Sequence, residues 1–254
     1  MMELGISLPE NYNLHEYQSL GSTNDEALIL APTSPDKTVI WAREQTNARG
    51  RRGRTWQAPP GNLYCSIILK PDVAISECSQ LGYVAALAIF DTLIELCPTE
   101  CKVSCKWPND VLLNGKKVSG ILLESSLSNN KKPDWVILGV GINVVAHPDD
   151  TEFPATDMSA EGTRQATAPL TLERFIAHFE HWSNLWAHDG FAQLRQTWLD
   201  CATGLGKKII VRLENQQLSG TFMGLDETGA LILRPDNEVN DRIITAGDVF
   251  FPNT

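Results

Sequence analysis

Thr38-Val39-Ile40-Trp41-Ala42-Arg43, Arg49-Gly50-Arg51-Arg52-Gly53-Arg54 and Leu63-Tyr64-Cys65-Ser66-Ile67-Ile68-Leu69 follow one another along the chain. The outer two are β-branched and aromatic runs that read as strands. Between them lies an excursion of about twenty residues, a length that in compact domains usually carries function or mobility. Four arginines fall within six of its residues, in a chain of 254 residues with a formal net charge of −10. Glycine lets the backbone approach a ligand closely, and arginine presents a planar fork of donors to phosphate or carboxylate. With Trp56 two residues beyond, the loop suits a small anionic ligand that carries a flat ring, such as a nucleotide.

Outward from this loop, the pattern alternates between strands and helices. Upstream, Ser22-Thr23-Asn24-Asp25-Glu26 precedes an apolar run and contains two overlapping capping boxes, Ser22 to Asp25 and Thr23 to Glu26, so a helix starts there. Its N-terminal amides are a place to receive polar ligand atoms, although capping alone explains the residues. Downstream, Leu81, Val84, Ala85, Ala88, Ile89, Leu93 and Leu96 keep helical spacing, with Ser76 as the cap and Pro98 as the stop. Val111-Leu112-Leu113 and Val118 to Leu123 flank Asn114-Gly115, a strong hairpin signal. A strand from Trp135 to Val140 follows, then a polar, proline-dotted connection over residues 146 to 170. Two helices come next, one after Thr171 and a shorter one around Phe191, Leu194 and Trp198. After Gly204-Leu205-Gly206 the pattern becomes five short strands within about fifty residues, a small barrel-like module. The expected organisation is a catalytic domain over 1–205 and a β module over 206–254.

Composition narrows the class. The chain is 43% hydrophobic and 20% charged, enough to bury a core. No apolar run is expected to approach the roughly 18–20 residues that span a bilayer, and the N-terminus lacks a signal-peptide pattern. This reads as a soluble cytoplasmic protein. An acidic balance argues against general nucleic-acid binding, so the arginine run is a local device. Cys97, Cys101 and Cys105 recur every four residues, but Pro98 and the alternation Val103, Cys105, Trp107 break any helix that would align them, and buried free thiols are the expectation.

Taken in order, Gln45 with Arg49-Gly50-Arg51-Arg52-Gly53-Arg54-Thr55-Trp56, Gly61-Asn62-Leu63-Tyr64, Lys106-Trp107-Pro108-Asn109-Asp110, Lys117-Val118-Ser119-Gly120-Ile121-Leu122-Leu123-Glu124 and Gly139-Val140-Gly141-Ile142-Asn143 resemble the biotin protein ligases. The blocks spread over residues 22 to 143 in that family's order, and a small C-terminal β module follows as it does there. The resemblance implies an α+β fold: a mixed sheet with packed helices, like that of class II synthetases, plus a C-terminal SH3-like barrel. It implies that biotin and ATP, with Mg²⁺, give biotinyl-5′-AMP. The biotinyl group then passes to a lysine of the biotin carboxyl carrier domain of a biotin-dependent carboxylase such as acetyl-CoA carboxylase.

Residue by residue, the resemblance assigns Lys117, Arg49 and Arg51 to catalysis, where a carboxylate must meet an α-phosphate and fixed positive charge offsets the repulsion. It assigns Ser22, Thr23, Asn24, Gln45, Arg49, Gly50, Arg51, Lys117 and Gly120 to biotin. Hydroxyls and amides suit the ureido ring's carbonyl and two N–H groups, and Gly120 and Gly141 leave room beside an apolar wall. Arg51, Arg52, Arg54, Trp56, Asn109 and Asn143 fall to ATP and the adenylate. Asn109 and Asp110 either orient Mg²⁺ or phosphate, or simply turn the chain into a strand; the metal ligands stay unassigned. Lys116 is expected to face solvent. The loop is expected to be mobile and to order over the adenylate.

Two departures stand out. Ala48 occupies a position where this family usually has glycine, and a φ < 0 conformation is expected there. About twenty residues precede Ser22, too few for the winged-helix DNA-binding domain that some members carry, so no operator binding is expected. Homodimeric assembly stays open. The competing readings are a lipoate–protein ligase, which shares the fold and the adenylation logic, and a non-catalytic protein that binds biotin or its adenylate.

Overall fold

A computed structural model describes residues 5–126 and 132–252. Strands β1 (Asn13–Leu20), β2 (Thr38–Gln45), β3 (Leu63–Leu69), β4 (Val103–Lys106), β5 (Asp110–Leu113), β6 (Lys116–Ser125) and β7 (Val136–Ile142) form one sheet in the order β1-β2-β3-β7-β6-β5-β4. β1 lies parallel to β2, and the other neighbours are antiparallel, so the sheet is mixed. Sequence reasoning passed over β1 because this largely exposed edge strand lacks an apolar alternation.

The alternation of side chains across a strand decides where the cleft lies. Val39, Trp41, Leu63, Cys65, Ile67, Val136, Leu138, Val140 and Ile142 point to one face and join the main core. That face is covered by α2 (Leu81–Leu96) and α3 (Ala168–Asp189), with α4 (Phe191–Asp200) beside them. On the other face, α1 (Thr23–Leu30) packs its Ala27 and the adjoining Ala31 on Ile40, Ile68 and Ile137, and its first residues, Thr23 and Asn24, close over Ser66. The rest of that face carries Tyr64 and Ser66 on β3, Gly139 and Gly141 on β7, and Gly120, Leu122 and Glu124 on β6. Pairing sets them in rows, with Gly141 beside both Tyr64 and Gly120, and Gly139 beside both Ser66 and Leu122. Tyr64, Gly120, Leu122, Gly139 and Gly141 of these rows become the floor of a cleft, while Ser66 lies buried beneath the start of α1.

Several helix starts differ from the sequence reading. Ser22 caps α1 as expected, accepting from the Asp25 amide at 3.4 Å, but the second box does not close: Glu26 accepts instead from the Tyr17 hydroxyl. A 3₁₀ turn over Ile75–Gln80 precedes α2, and Glu77 rather than Ser76 caps it, accepting from the Ala74 amide. α3 begins three residues before Thr171 and is capped by Thr167. The expectation about apolar runs also needs correcting. Ile75–Leu96 is a 22-residue helical stretch apolar enough, with a mean hydropathy of 1.3, to cross a bilayer. Its apolarity has another cause, because α2 is walled in by the sheet, α3 and α4 and is mostly buried.

Asn114 (φ 51°) and Gly115 (φ 79°) make the β5–β6 turn with two left-handed residues, the twist-matched geometry for a tight hairpin. The C-terminal strands β8 (Lys208–Arg212), β9 (Gln217–Leu225), β10 (Leu231–Pro235), β11 (Arg242–Ile244) and β12 (Asp248–Phe250) form an antiparallel sheet in the order β11-β10-β9-β8-β12. Among the described residues β11 and β12 are its edges, so the SH3-like module is an open sheet rather than a closed barrel. It is anchored to the rest of the chain through the Gly229 carbonyl, which accepts from the hydroxyl of Tyr83 on α2 and, at 3.2 Å, from the indole of Trp107 just after β4.

Candidate active site

A cleft of about 390 Å³ opens over the glycine rows, bordered by the start of α1, the arginine loop, the 107–110 turn, the segment 148–155 and β12. Ser22, Thr23, Asn24, Gln45, Arg49, Gly50, Arg51, Arg54, Trp56, Asn109, Lys117, Gly120 and Asn143 all line it, as the resemblance leads one to expect. Arg52 does not. It sits at φ 56°, and its guanidinium faces Asp248 at 3.6 Å outside the lining.

The arginine loop is a small hairpin. Arg49 bridges Thr55, the Trp56 amide donates to the Ala48 carbonyl, and the Gly50 amide donates to that of Arg54. Ala48 is buried and is not among the positive-φ residues, so alanine fits there without strain. Trp56 lies flat over the floor. A Cβ added at Gly120 or Gly141 would sit 3.0 Å from its ring, so these two glycines seat an indole rather than leaving open room. The Trp56 indole nitrogen and the Asn143 side-chain oxygen are buried without protein partners. Both border the cleft, which is where polar groups meant for a ligand belong.

One end of the cleft is neutral and hydrogen-bonded. Gln45 Oε1 accepts from the Thr23 amide at 2.6 Å, and Ser66 Oγ lies 2.8 Å from Thr23 Oγ1 and 2.6 Å from Asn24 Oδ1. Asn24 Nδ2 donates to Glu124 at 2.8 Å. Arg49, expected to meet the reacting anions, is instead spanned by two carboxylates. It donates to Asp25 through Nε (3.1 Å) and Nη2 (2.7 Å), and to both oxygens of Glu124 at 3.0 Å. Hydrogen bonds to Glu124, then to Asp25, raise its pKa further.

The other end is cationic. Lys117 Nζ lies 2.6 Å from Asp110 and 5.4 Å from the Trp56 ring. Its neighbour Lys116 pairs with Glu161 on the outer side. Arg51 donates to Asn109 Oδ1 at 2.9 Å, and Asn109 Nδ2 donates to the Ile121 carbonyl. Both ends of the Asn109 amide are thus engaged within the protein, by Arg51 and by the Ile121 carbonyl. Lys106, at the end of β4, also lines the cleft. It is 5% exposed, its Nζ lies 3.5 Å from the Phe153 ring centroid, and burial lowers its pKa to about 8. A lysine between the apolar Cys105 and Trp107 was the available signal.

The C-terminal module reaches this end as well. Asp248 pairs with Arg54 and faces Arg52 at 3.6 Å and Arg212 at 3.8 Å. Burial pushes its carboxyl up, but the Arg54 hydrogen bond and the surrounding arginines outweigh it and hold the pKa below the usual range. Arg212 also grips Glu152 with both Nη groups, and Phe251 packs edge-on to Phe153. Asp248 and Glu152 line the cleft with no motif to announce them, and docking of the two modules brings Asp248 there and sets Arg212 against Glu152.

Comparison with known proteins matches this geometry. Residues 47–200 fit the biotin/lipoate A/B protein ligase family, and residues 204–251 fit the biotin protein ligase C-terminal domain. The chain belongs to the biotin/lipoate A/B protein ligase family. It is 42% identical over 235 residues to the biotin–[acetyl-CoA-carboxylase] ligase of Paracoccus denitrificans, covering 91% of this chain and 97% of that one. It is 32% identical to the bifunctional ligase/repressor BirA of Bacillus subtilis strain 168, spanning 69% of that protein's length. Among solved structures, the biotin protein ligase from Aquifex aeolicus in complex with biotin and ATP superposes with a TM-score of 0.79 at 28% identity, covering 94% of this chain and 97% of that one. The ligase from Leishmania major in complex with biotinyl-5-AMP gives a TM-score of 0.64 at 25% identity, covering 94% and 100%.

Proposed function

We propose that this family member condenses biotin with ATP to biotinyl-5′-AMP, releasing pyrophosphate, and then transfers the biotinyl group to a lysine amine of a biotin carboxyl carrier domain, that of acetyl-CoA carboxylase in the first instance, releasing AMP. The observation that carries the reading is one cleft with a neutral hydrogen-bonding end and a cationic end, joined at Lys117. Thr23 and Gln45 take the ureido ring, and the valeryl chain runs beside Trp56, which covers the glycine floor, toward Lys117. There the carboxylate meets the α-phosphate. Lys117 exchanges Asp110 for the oxygens that gather charge in the transition state, and Arg51, aimed by Asn109, serves the same anions. Trp56 and Asn143 receive the adenine, by its face and its edge, while Lys106 and Arg54 serve the phosphates.

Among the described residues no group of three His, Cys, Asp or Glu side chains converges. The carboxylate of Asp110, already paired with Lys117, suits a Mg²⁺ that arrives on phosphate and keeps most of its water. Bound there, the ion would supply charge neutralisation on the phosphates. The domain division at 205/206 follows the change from the last helix to the C-terminal sheet. Six described free cysteines agree with a cytoplasmic setting. A lipoate ring has no N–H or carbonyl to use the polar end, which is why biotin is preferred.

The test is incubation with biotin, MgATP and a carrier domain, followed by intact-mass measurement of the carrier. A gain of one biotinyl group is expected. Pyrophosphate release driven by lipoate and not by biotin would overturn the assignment.

A further inference from the structure

We propose that Glu124 is a positioning residue that fixes the direction of hydrogen bonding at the ring end of the cleft, acting through Asn24, Ser66 and Thr23. The proposal rests on the reading of Thr23 and Gln45 as ring contacts and goes beyond it by naming what gives those contacts their polarity.

The argument is one of donors and acceptors. A carboxylate only accepts, so Asn24 must turn its Nδ2 toward Glu124, 2.8 Å away. Its Oδ1 then faces Ser66, 2.6 Å away, and carries no proton. Ser66 has a single hydroxyl proton and two oxygen neighbours, Asn24 Oδ1 and Thr23 Oγ1. Asn24 Oδ1 can only accept, so it takes that proton. The contact between the two hydroxyls therefore runs the other way, with Thr23 donating to Ser66 at 2.8 Å. The free lone pair of Thr23 Oγ1 is left as an acceptor for a ring N–H. Gln45 Oε1 is occupied by the Thr23 amide, so its Nε2 is left to donate to the ring carbonyl. An acceptor beside a donor is the complement of a cyclic urea.

The packing holds the relay in place. Thr23, Asn24 and Ser66 are 4%, 4% and 0% exposed. A Cβ at Gly139 would lie 2.1 Å from Asn24 Oδ1, so the strand carries glycine where the amide presses against it. Glu124 is itself fixed by both Nη groups of Arg49. The ion pair thus has a use other than meeting the substrate's charge: it anchors the acceptor from which the polarity of the whole chain of bonds follows.

The test is a mutant cycle on the full chain, read as biotin Kd by titration calorimetry and as the Michaelis constant for ATP. Thr23→Val, Ser66→Ala and Glu124→Gln are each expected to weaken biotin about tenfold, the cost of one misdirected buried hydrogen bond. Combining Ser66→Ala or Glu124→Gln with Thr23→Val should add little, because both act through the same hydroxyl. The Michaelis constant for ATP should stay unchanged in Ser66→Ala, which a general loss of structure would not allow. Unchanged biotin affinity in Thr23→Val would sink the ring-contact reading itself. A weakened Thr23→Val with an unaffected Ser66→Ala, or losses that multiply, would sink the relay alone. Unchanged biotin affinity in Glu124→Gln would overturn the role of Glu124; should that variant fail to fold, Glu124→Asp, which shortens the carboxylate's reach to Asn24, carries the same test.

Discussion

At the ring end, Thr23, Asn24 and Ser66 are buried and hydrogen-bonded to one another, with one carboxylate behind them. At the phosphate end, Arg51, Arg52, Arg54, Lys106 and Lys117 gather around Asp110 and Asp248. The first is a set of directed bonds among neighbouring strands and a helix start. The second is a set of ion pairs, those of Asp110 within one module and those of Asp248 crossing from one module to the other. Directed bonds select a ligand by pattern and lose much when one member is misaligned. Partly exposed ion pairs, such as those of Arg52 and Arg54, contribute little each to stability and can be exchanged for another anion. A site that must recognise one ring and then pass phosphates through has reason to use both.

The largest effect that separates the ends is expected at their junction. Lys117→Ala should slow adenylate formation by about 10²–10³, the usual cost of removing one donor to developing charge, while biotin Kd stays within a few-fold. Pyrophosphate release and calorimetry measure the two separately, and a full-rate Lys117→Ala enzyme would remove Lys117 from the chemistry.

A smaller effect tests whether the phosphate end is tuned by burial. Lys106 has a pKa lowered to about 8, so near pH 8 a large fraction is uncharged. An arriving polyphosphate favours the charged form and raises that pKa, so nucleotide binding at pH 8 should take up on the order of half a proton. At pH 6.5, where the lysine is already charged, uptake from this group should vanish. The Michaelis constant for ATP should accordingly rise as the pH passes 8. Calorimetry in buffers of different ionisation enthalpy reads the uptake, and Lys106→Gln should abolish it.

The smallest effect concerns the clasp between modules. Asp248→Asn removes the carboxylate facing Arg52 and Arg54, worth about 0.2–1 kcal/mol for a pair of this exposure, so the Michaelis constant for ATP should change no more than about fivefold. Trypsin should cut the 49–54 loop faster in the variant. Identical digestion rates would mean that the hairpin bonds within the loop hold it without help from the C-terminal module.

Much of the site was legible because the residues that touch the floor come in short local blocks. The β5–β6 hairpin was readable from Asn114-Gly115, and the start of α1 from Ser22. Gly120 and Gly141 were visible as candidates, but their use as a seat for Trp56 was not, because that requires knowing that a loop residue folds back over two strands. The commitment of Arg49 to Glu124 was equally hidden. The two are 75 positions apart, and nothing in either local pattern records the pairing.

The order of motifs by itself determined the family resemblance, the mixed-sheet class and most of the cleft's lining, since turn chemistry and alternation are local and survive without three-dimensional information. Only the tertiary structure decided which face of the sheet stays uncovered, which cations are bound to carboxylates, and that a strand of the C-terminal module closes the phosphate end. These depend on packing between segments far apart in the chain, and hydrogen-bond direction and charge pairing are properties of what meets, not of what is written consecutively.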